Sequence, residues 1–497
     1  MNAETSPFQV RATHALPGRD AVRPAVEPPV AALFPPAEHR ARQDDALTRG
    51  LAAAHERVIR GAVAPTLDRA EFRSALAGFD FAAPRPLDDT LAWVVAQMEH
   101  GVTQVTHPRY LGLFNPAPTF PAQCADRIAS AFNPQLASAT TSPAAVEVEA
   151  HVVRSVARRA GLPSGAAGHF TSGGAEANFT ALLCALTRAE PGFAAHGARA
   201  FAGSPVFYAS SECHLAWLKI AHQAGIGRTG LRLVATDGAG RMSMGALHDA
   251  VAADRAQGCV PVMVAATAGT TGGGMIDSLA GCSEIAQRFG LWSHVDAAWG
   301  GALVASDRLR GLLAGIDCAD SVTIDAHKWL ATTMGCGMFI CADPAAPSAV
   351  FQASTSFMPP ATLEDGAAAD PYVVSAQWSR RFLGLRLFLS LASAGWAGYG
   401  AHVERSVALA GLLRDRLAER GWRIANDPAL AVLCAEPPPG SGEVREVVGR
   451  VLASGRAWVS AARFEGRDVV RACVTNGETT PEDMMEAADA LQAACRQ

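Results

Sequence analysis

Asp320-Ser321-Val322-Thr323-Ile324-Asp325-Ala326-His327-Lys328-Trp329 is a β-branched run that predicts a buried strand closing on His-Lys. The chain has 497 residues but only two lysines, Lys219 and Lys328, against 40 arginines. Arginine can supply surface charge almost everywhere. It cannot replace lysine as a nucleophilic amine, because the guanidinium stays protonated. A lysine retained at the end of such a strand is a candidate for Schiff-base chemistry.

Working outward, Ser293-His294-Val295-Asp296-Ala297-Ala298-Trp299-Gly300-Gly301 reads as a second strand ending in a carboxylate before small residues. A carboxylate there is costly unless it meets a cation or caps the turn. A protonated pyridine nitrogen is one such cation. Further upstream, Ser210-Ser211-Glu212-Cys213-His214 places His214 just after a candidate strand, where α/β proteins collect ligands. Lys219, five residues on, fits a helix surface. Phe170-Thr171-Ser172-Gly173-Gly174-Ala175-Glu176-Ala177-Asn178 precedes an Ala/Leu-rich helix. A Gly-Gly turn at a helix start presents backbone N–H groups and the positive dipole end, which suits a phosphate.

Strands are expected at Val206–Ser210, Leu231–Ala235, Val262–Thr267, Leu291–Asp296, Ser321–Asp325 and Gly337–Ala342, with helical segments between several of them. That alternation predicts an α/β sheet, parallel or mixed, with helices on both faces. Four regions are expected: an irregular Pro-rich arm over 1–38, a helical segment over 39–105, a large α/β domain over 106–395 and a small α+β domain over 396–497. In the last, His402–Arg420 reads as an amphipathic helix closed by Gly421. Strands follow at Trp422–Asn426, Ala429–Ala435, Ala457–Phe464 and Val469–Thr475. Thr480-Pro481-Glu482-Asp483 opens a final helix.

Composition narrows the classes. Hydrophobic content is 49% and net charge −5, without a basic run interleaved with aromatics, so nucleic acid is not an expected partner. No apolar stretch reaches the ~18–20 residues of a membrane span. The eleven cysteines lack a CxxC pair and no secretory signal is visible, which together predict reduced thiols in the cytoplasm. No metal site is expected.

In their order and combination the motifs resemble the group II decarboxylases that use pyridoxal 5′-phosphate (PLP). That family comprises the aromatic amino acid, glutamate and related decarboxylases, of fold type I, the aspartate aminotransferase-like class. The resemblance runs from about His107 to the C-terminus. It adds His107-Pro108-Arg109-Tyr110, Thr141-Ser142-Pro143-Ala144, Ala266-Thr267-Ala268-Gly269-Thr270-Thr271, Arg380-Arg381-Phe382 and Val470-Arg471. It implies that Lys328 carries PLP and that Asp296 pairs with the pyridine nitrogen. It implies that His214 stacks on the ring, that Gly174, Ala175 and His327 contact the phosphate, and that Thr267 and Ala298 line the ring pocket. It also implies a homodimer with the site at the subunit interface. Leu113, Phe357 and Arg471 are the candidates for the substrate side and the catalytic loop. Leu113 lies near where aromatic decarboxylases place a tyrosine and glutamate decarboxylases a glutamine, and its apolar side chain argues against an acidic substrate.

The implied activity is decarboxylation of an L-amino acid with an apolar or aromatic side chain. One departure bears on the product. An ungapped count from Lys328 puts Phe357 where the family carries a tyrosine that protonates the substrate carbon. Its loss is associated, in plant members, with oxidative deamination to an aldehyde, with Tyr372 or His214 as other proton donors. Oxidative deamination and a non-catalytic PLP-binding protein are the alternative readings.

Overall fold

The computed structural model describes residues 28–353, 368–427 and 430–495. Phe357, expected on the catalytic loop, lies outside the described residues. So does most of the expected N-terminal arm. Its described end differs from the expected irregular chain: Pro28–Leu33 forms a helix, and a second helix begins at Ala37.

Seven strands form the central sheet: β1 (Ala167–Thr171), β2 (Pro205–Ser210), β3 (Leu231–Val234), β4 (Val260–Thr267), β5 (Trp292–Asp296), β6 (Ser321–Asp325) and β7 (Gly337–Cys341). Their order is β1-β7-β6-β5-β4-β2-β3. The β6-β5-β4-β2-β3 run is parallel, and β7 lies antiparallel between β6 and β1. The strands are buried nearly throughout, as a parallel sheet covered on both faces requires. On one face, Leu182 and Trp217 of helices Gly174–Ala189 and Ala216–Gln223 pack against Met263 and Trp292. On the other, Leu247 and Cys282 of helices Met244–Ala256 and Leu279–Phe289 pack against Val264 and Val295. The strand at β1 was not among those expected.

A second sheet follows in the last quarter of the chain: β8 (Arg423–Ile424), β9 (Val432–Glu436), β10 (Ser460–Phe464) and β11 (Arg467–Cys473), all antiparallel in the order β10-β11-β9-β8. Helices Val444–Ser454 and Gly384–Ala418 pack on its strands, and Pro481–Ala494, opened by a capping box between Thr480 and Asp483, packs against both helices. The helix expected over His402–Arg420 is the second arm of Gly384–Ala418, which bends at Gly395, a left-handed residue (φ 63°) inside the helix. Leu111, ahead of the central sheet in the chain, is bonded to the second sheet's side. Its N–H donates to the Trp458 carbonyl (2.8 Å), and its carbonyl accepts from Cys473 (2.9 Å). At Gly112 a Cβ would sit 2.1 Å from the Trp458 ring, so only glycine allows this approach.

Candidate active site

The carboxyl ends of β1, β4, β5 and β6 open on one cavity of about 260 Å³, the position where open α/β sheets bind ligands. Each end delivers a residue that the sequence singles out. β1 leads into Gly173 and Gly174, β4 ends in Thr267, β5 in Asp296, and β6 in Asp325 followed by His327 and Lys328. His214, Ala175 and Ala298 line the same cavity. Leu113, Arg471 and Tyr372 are not in its lining. Leu113 is exposed, and Tyr372 is buried against the Trp378 ring (5.1 Å).

Lys328 Nζ reaches the cavity and pairs with Asp325 Oδ2 at 3.0 Å. This buried carboxylate was not anticipated. Its Oδ1 has no hydrogen-bond partner among the described residues, and glycines crowd around it. A Cβ on Gly174 would lie 2.9 Å from Asp325 Oδ2 and 3.2 Å from the Ala298 methyl, and one on Gly337 would lie 2.6 Å from Asp325 Oδ1. The Gly-Gly turn is thus a cradle that any larger residue would fill. No side chain caps the helix that starts there, Gly174–Ala189. Its first residues, Gly174 and Ala175, line the cavity, so the positive end of the helix dipole faces it.

Asp296 is 5% exposed and fixed from two sides. Its Oδ1 accepts from the Ala298 N–H (3.2 Å) and its Oδ2 from Asn178 Nδ2 (2.8 Å). His214 sits at the rim, where its Nδ1 accepts from the Ala216 N–H (3.1 Å), leaving Nε2 as the proton-bearing nitrogen of the neutral ring. Burial of its inner side lowers its pKa, with Asp296 opposing. Thr267 is held through its backbone by Asp277. Its N–H donates to Asp277 Oδ2 (2.7 Å), and its carbonyl accepts from the Asp277 N–H (2.9 Å), while its own buried hydroxyl has no partner. Burial pushes the Asp277 carboxyl up to about 6, against the amide hydrogen bonds it accepts from Met242 and Thr267.

The apolar wall is aromatic. Phe114 packs on Trp299 (5.0 Å), which stacks on Trp329 (4.6 Å, 9°). Arg471, on β11, is 3% exposed and anchored by the Thr271 and Gly112 carbonyls (2.8 and 2.7 Å). Its third nitrogen, Nη2, is buried without a hydrogen-bond partner among the described residues. Both Lys328 Nζ and the Arg471 guanidinium lie over the Phe114 ring, at 5.6 and 4.7 Å from its centroid.

These groups match what PLP requires: an amine for its aldehyde, a carboxylate for its ring nitrogen, and an uncapped helix start with a glycine cradle for its phosphate. Asn178, Asp325, Asp277 and Phe114 escaped the sequence reading. For Asn178 a signal existed. It lies one helical turn after Gly174, a polar side chain on an otherwise apolar face.

Comparison with known proteins agrees with this chemistry. The model of the pyridoxal-dependent decarboxylase conserved domain matches residues 82–435. An L-2,4-diaminobutyrate decarboxylase of Rhizobium meliloti is 30% identical over 410 residues, covering 80% of this chain and 80% of its own. An aromatic-L-amino-acid decarboxylase of Bacillus atrophaeus is 27% identical over 395 residues, covering 78% and 80%. Among solved structures, an Oryza sativa TDC with PLP and tryptamine superposes with a TM-score of 0.87 at 23% identity, covering 93% of this chain and 98% of that one.

Proposed function

The chain belongs to the pyridoxal-dependent decarboxylase family and is a PLP-dependent amino acid carboxy-lyase; from that premise we propose that its substrate is an L-amino acid with an apolar or aromatic side chain. One observation carries the reading: the cavity that Lys328 reaches is walled by Phe114 and Trp299, packed on each other at 5.0 Å. That wall offers an apolar, aromatic surface to a substrate side chain.

In this reading Lys328 would hold the cofactor through its amine, and Asp296 would hold a proton on its ring nitrogen. Gly174, Ala175 and His327 would receive its phosphate, His214 would cover its face, and Thr267 and Ala298 would bound the ring. Bound PLP supplies an electron sink for the pair left on the substrate carbon when CO₂ departs. The residues of the chain do the remainder. Arg471, outside the cavity's lining, backs the Phe114 ring. Asp325, 3.0 Å from Lys328 Nζ, would hold a proton on that amine. His214 Nε2–H is a proton donor at the mouth.

The second reading is oxidative deamination, and Phe357 in the sequence favours it. In that reaction one O₂ accepts two electrons and becomes hydrogen peroxide, one water supplies the aldehyde oxygen, and ammonia and CO₂ are released. Incubating the PLP-loaded protein with an amino acid panel, and recording CO₂, amine, aldehyde and peroxide together, tests both readings. Amine matching CO₂ from an aromatic or aliphatic substrate is the expected result. Turnover confined to acidic or diamino substrates would overturn the substrate assignment.

We assign the protein to the cytoplasm as a homodimer, with the four regions divided at about 38, 105 and 395. All eleven cysteines are unpaired, and no helix among the described residues is long and apolar enough to cross a membrane. The apolar stripe of the N-terminal helices is partly bare, with Leu51, Val94 and Met98 exposed, as are Phe120 and Phe132. A second copy would cover such surface.

A further inference from the structure

Strand alternation puts Trp292, His294 and Asp296 of β5 on one face, under helix Gly174–Ala189, and register places Ser321 of β6 directly opposite His294. Four short contacts join them. Trp292 Nε1 donates to Ser321 Oγ (2.8 Å), Ser321 Oγ meets His294 Nδ1 (2.8 Å), His294 Nε2 meets Asn178 Oδ1 (3.0 Å), and Asn178 Nδ2 donates to Asp296 Oδ2 (2.8 Å). His294, Asn178 and Ser321 are each at most 3% exposed.

The direction of every link follows from what each group can do. An indole N–H only donates, so Ser321 Oγ accepts from Trp292. At the other end Asp296 only accepts, so Asn178 gives it the NH₂ and turns its oxygen to His294 Nε2, which must then carry the ring proton and leave Nδ1 to accept from Ser321. His294 is neutral, because burial lowers its pKa to about 4, with Asp296 opposing. Its one proton is then on Nε2 and points at the Asn178 carbonyl oxygen. Thr323 Oγ1, 3.5 Å from the same nitrogen, is the weaker neighbour. With its oxygen engaged, the Asn178 amide turns its NH₂ to the carboxylate, which only accepts. The chain therefore begins at an obligate donor and ends at an obligate acceptor. Aligned hydrogen bonds of this kind polarise one another in a dry interior.

We propose that Trp292, Ser321, His294 and Asn178 form a directional hydrogen-bond chain that keeps Asp296 an oriented carboxylate facing the cofactor's ring nitrogen, which makes these four positioning residues. The proposal rests on the reading of Asp296 as the partner of that nitrogen. Neither Trp292 nor Ser321 lines the cavity, so their effect on the cofactor has to travel through the chain.

The test uses the full-length protein, stripped and reloaded with either PLP or its carbocyclic analogue in which the ring nitrogen is CH. Ser321→Ala and Trp292→Phe each remove one link. Each is expected to weaken PLP binding about 3- to 10-fold, the size of one net hydrogen bond, and to leave the analogue's affinity within 2-fold of wild type. Nitrogen-15 NMR of the wild-type holoenzyme, with His294 identified by comparison with His294→Gln, is expected to show the proton on Nε2. Unchanged PLP affinity in both variants, equal losses for PLP and analogue, or a His294 proton on Nδ1 would each overturn the chain. A wild type that does not distinguish PLP from the analogue, with Asp296→Asn equally indifferent, would instead sink the reading of Asp296 on which the chain depends.

Discussion

At the scale of single residues, two substitutions separate chemistry from charge. Lys328→Arg preserves the cation beside Asp325 but cannot condense with an aldehyde, so the visible absorbance of bound PLP and all CO₂ release should vanish. Retained turnover would dismiss Lys328 as the cofactor lysine. Asp296→Asn preserves shape and loses charge, so the ring nitrogen gives up its proton more readily. A rate loss of at least ~10²-fold, about 3 kcal/mol in the barrier, is expected from single-turnover CO₂ release. Lys328, Asp296, His214 and the Gly-Gly turn were legible because rare or costly residues stood at strand or helix ends. Asp325 and Asn178 were not. Each lies inside a quoted motif, but its importance depends on a partner more than a hundred residues away or on a glycine packed against it, and neither appears in local sequence.

At the scale of elements, β1 shows what pattern reading misses. Ala167-Gly168-His169-Phe170-Thr171 has one β-branched residue and a glycine, a poor strand by composition. Pairing decides it. A Cβ on Gly168 would sit 1.9 Å from the Phe339 carbonyl oxygen of β7, so glycine is what lets the two backbones meet. The central strands β2 to β7 were legible because burial on both faces leaves a continuous apolar signature. The glycine cradle at the start of helix Gly174–Ala189 gives the prediction proper to this scale. Gly174→Val drives its side chain against Asp325 and Ala298, and apoprotein titration should show PLP affinity at least ~10-fold weaker with the fold intact. An unchanged affinity would move the phosphate elsewhere. A second prediction concerns the β4 end. Asp277→Ala removes the acceptor for two buried amides, Met242 and Thr267, and should cost about 2–4 kcal/mol in denaturant unfolding.

At the scale of the whole molecule, acid sensitivity follows from histidines held neutral in the interior. Burial lowers the pKa of His107 and His294 to about 4 and that of His169 to about 3. The unfolded chain takes up protons near 6.5, so the stability these residues lend is complete above that pH and is lost as pH falls toward 4. Asp277 works the other way. Its native pKa of about 6 exceeds the unfolded value, so it favours the fold below about 4 and loses that contribution as pH rises through 6. Neither ring nitrogen of His169 has a hydrogen-bond partner among the described residues. His169→Phe should therefore fold without loss at pH 7 and take up about one proton fewer on unfolding at pH 5, measured by calorimetry in buffers of differing ionisation heat. A destabilised variant at pH 7 would reveal a hydrogen bond to His169. Assembly is checked by sedimentation equilibrium. Two chains per particle are expected, with Phe132→Asp shifting the mass toward one. The two lysines occupy unlike places: Lys328 faces the cavity, while Lys219 stands exposed on the helix just beyond His214. Once the cavity is filled, Lys219 is the remaining side-chain amine, so an amine-directed dye or resin would attach to this protein at one known side chain, within a few residues of the mouth it could then report on.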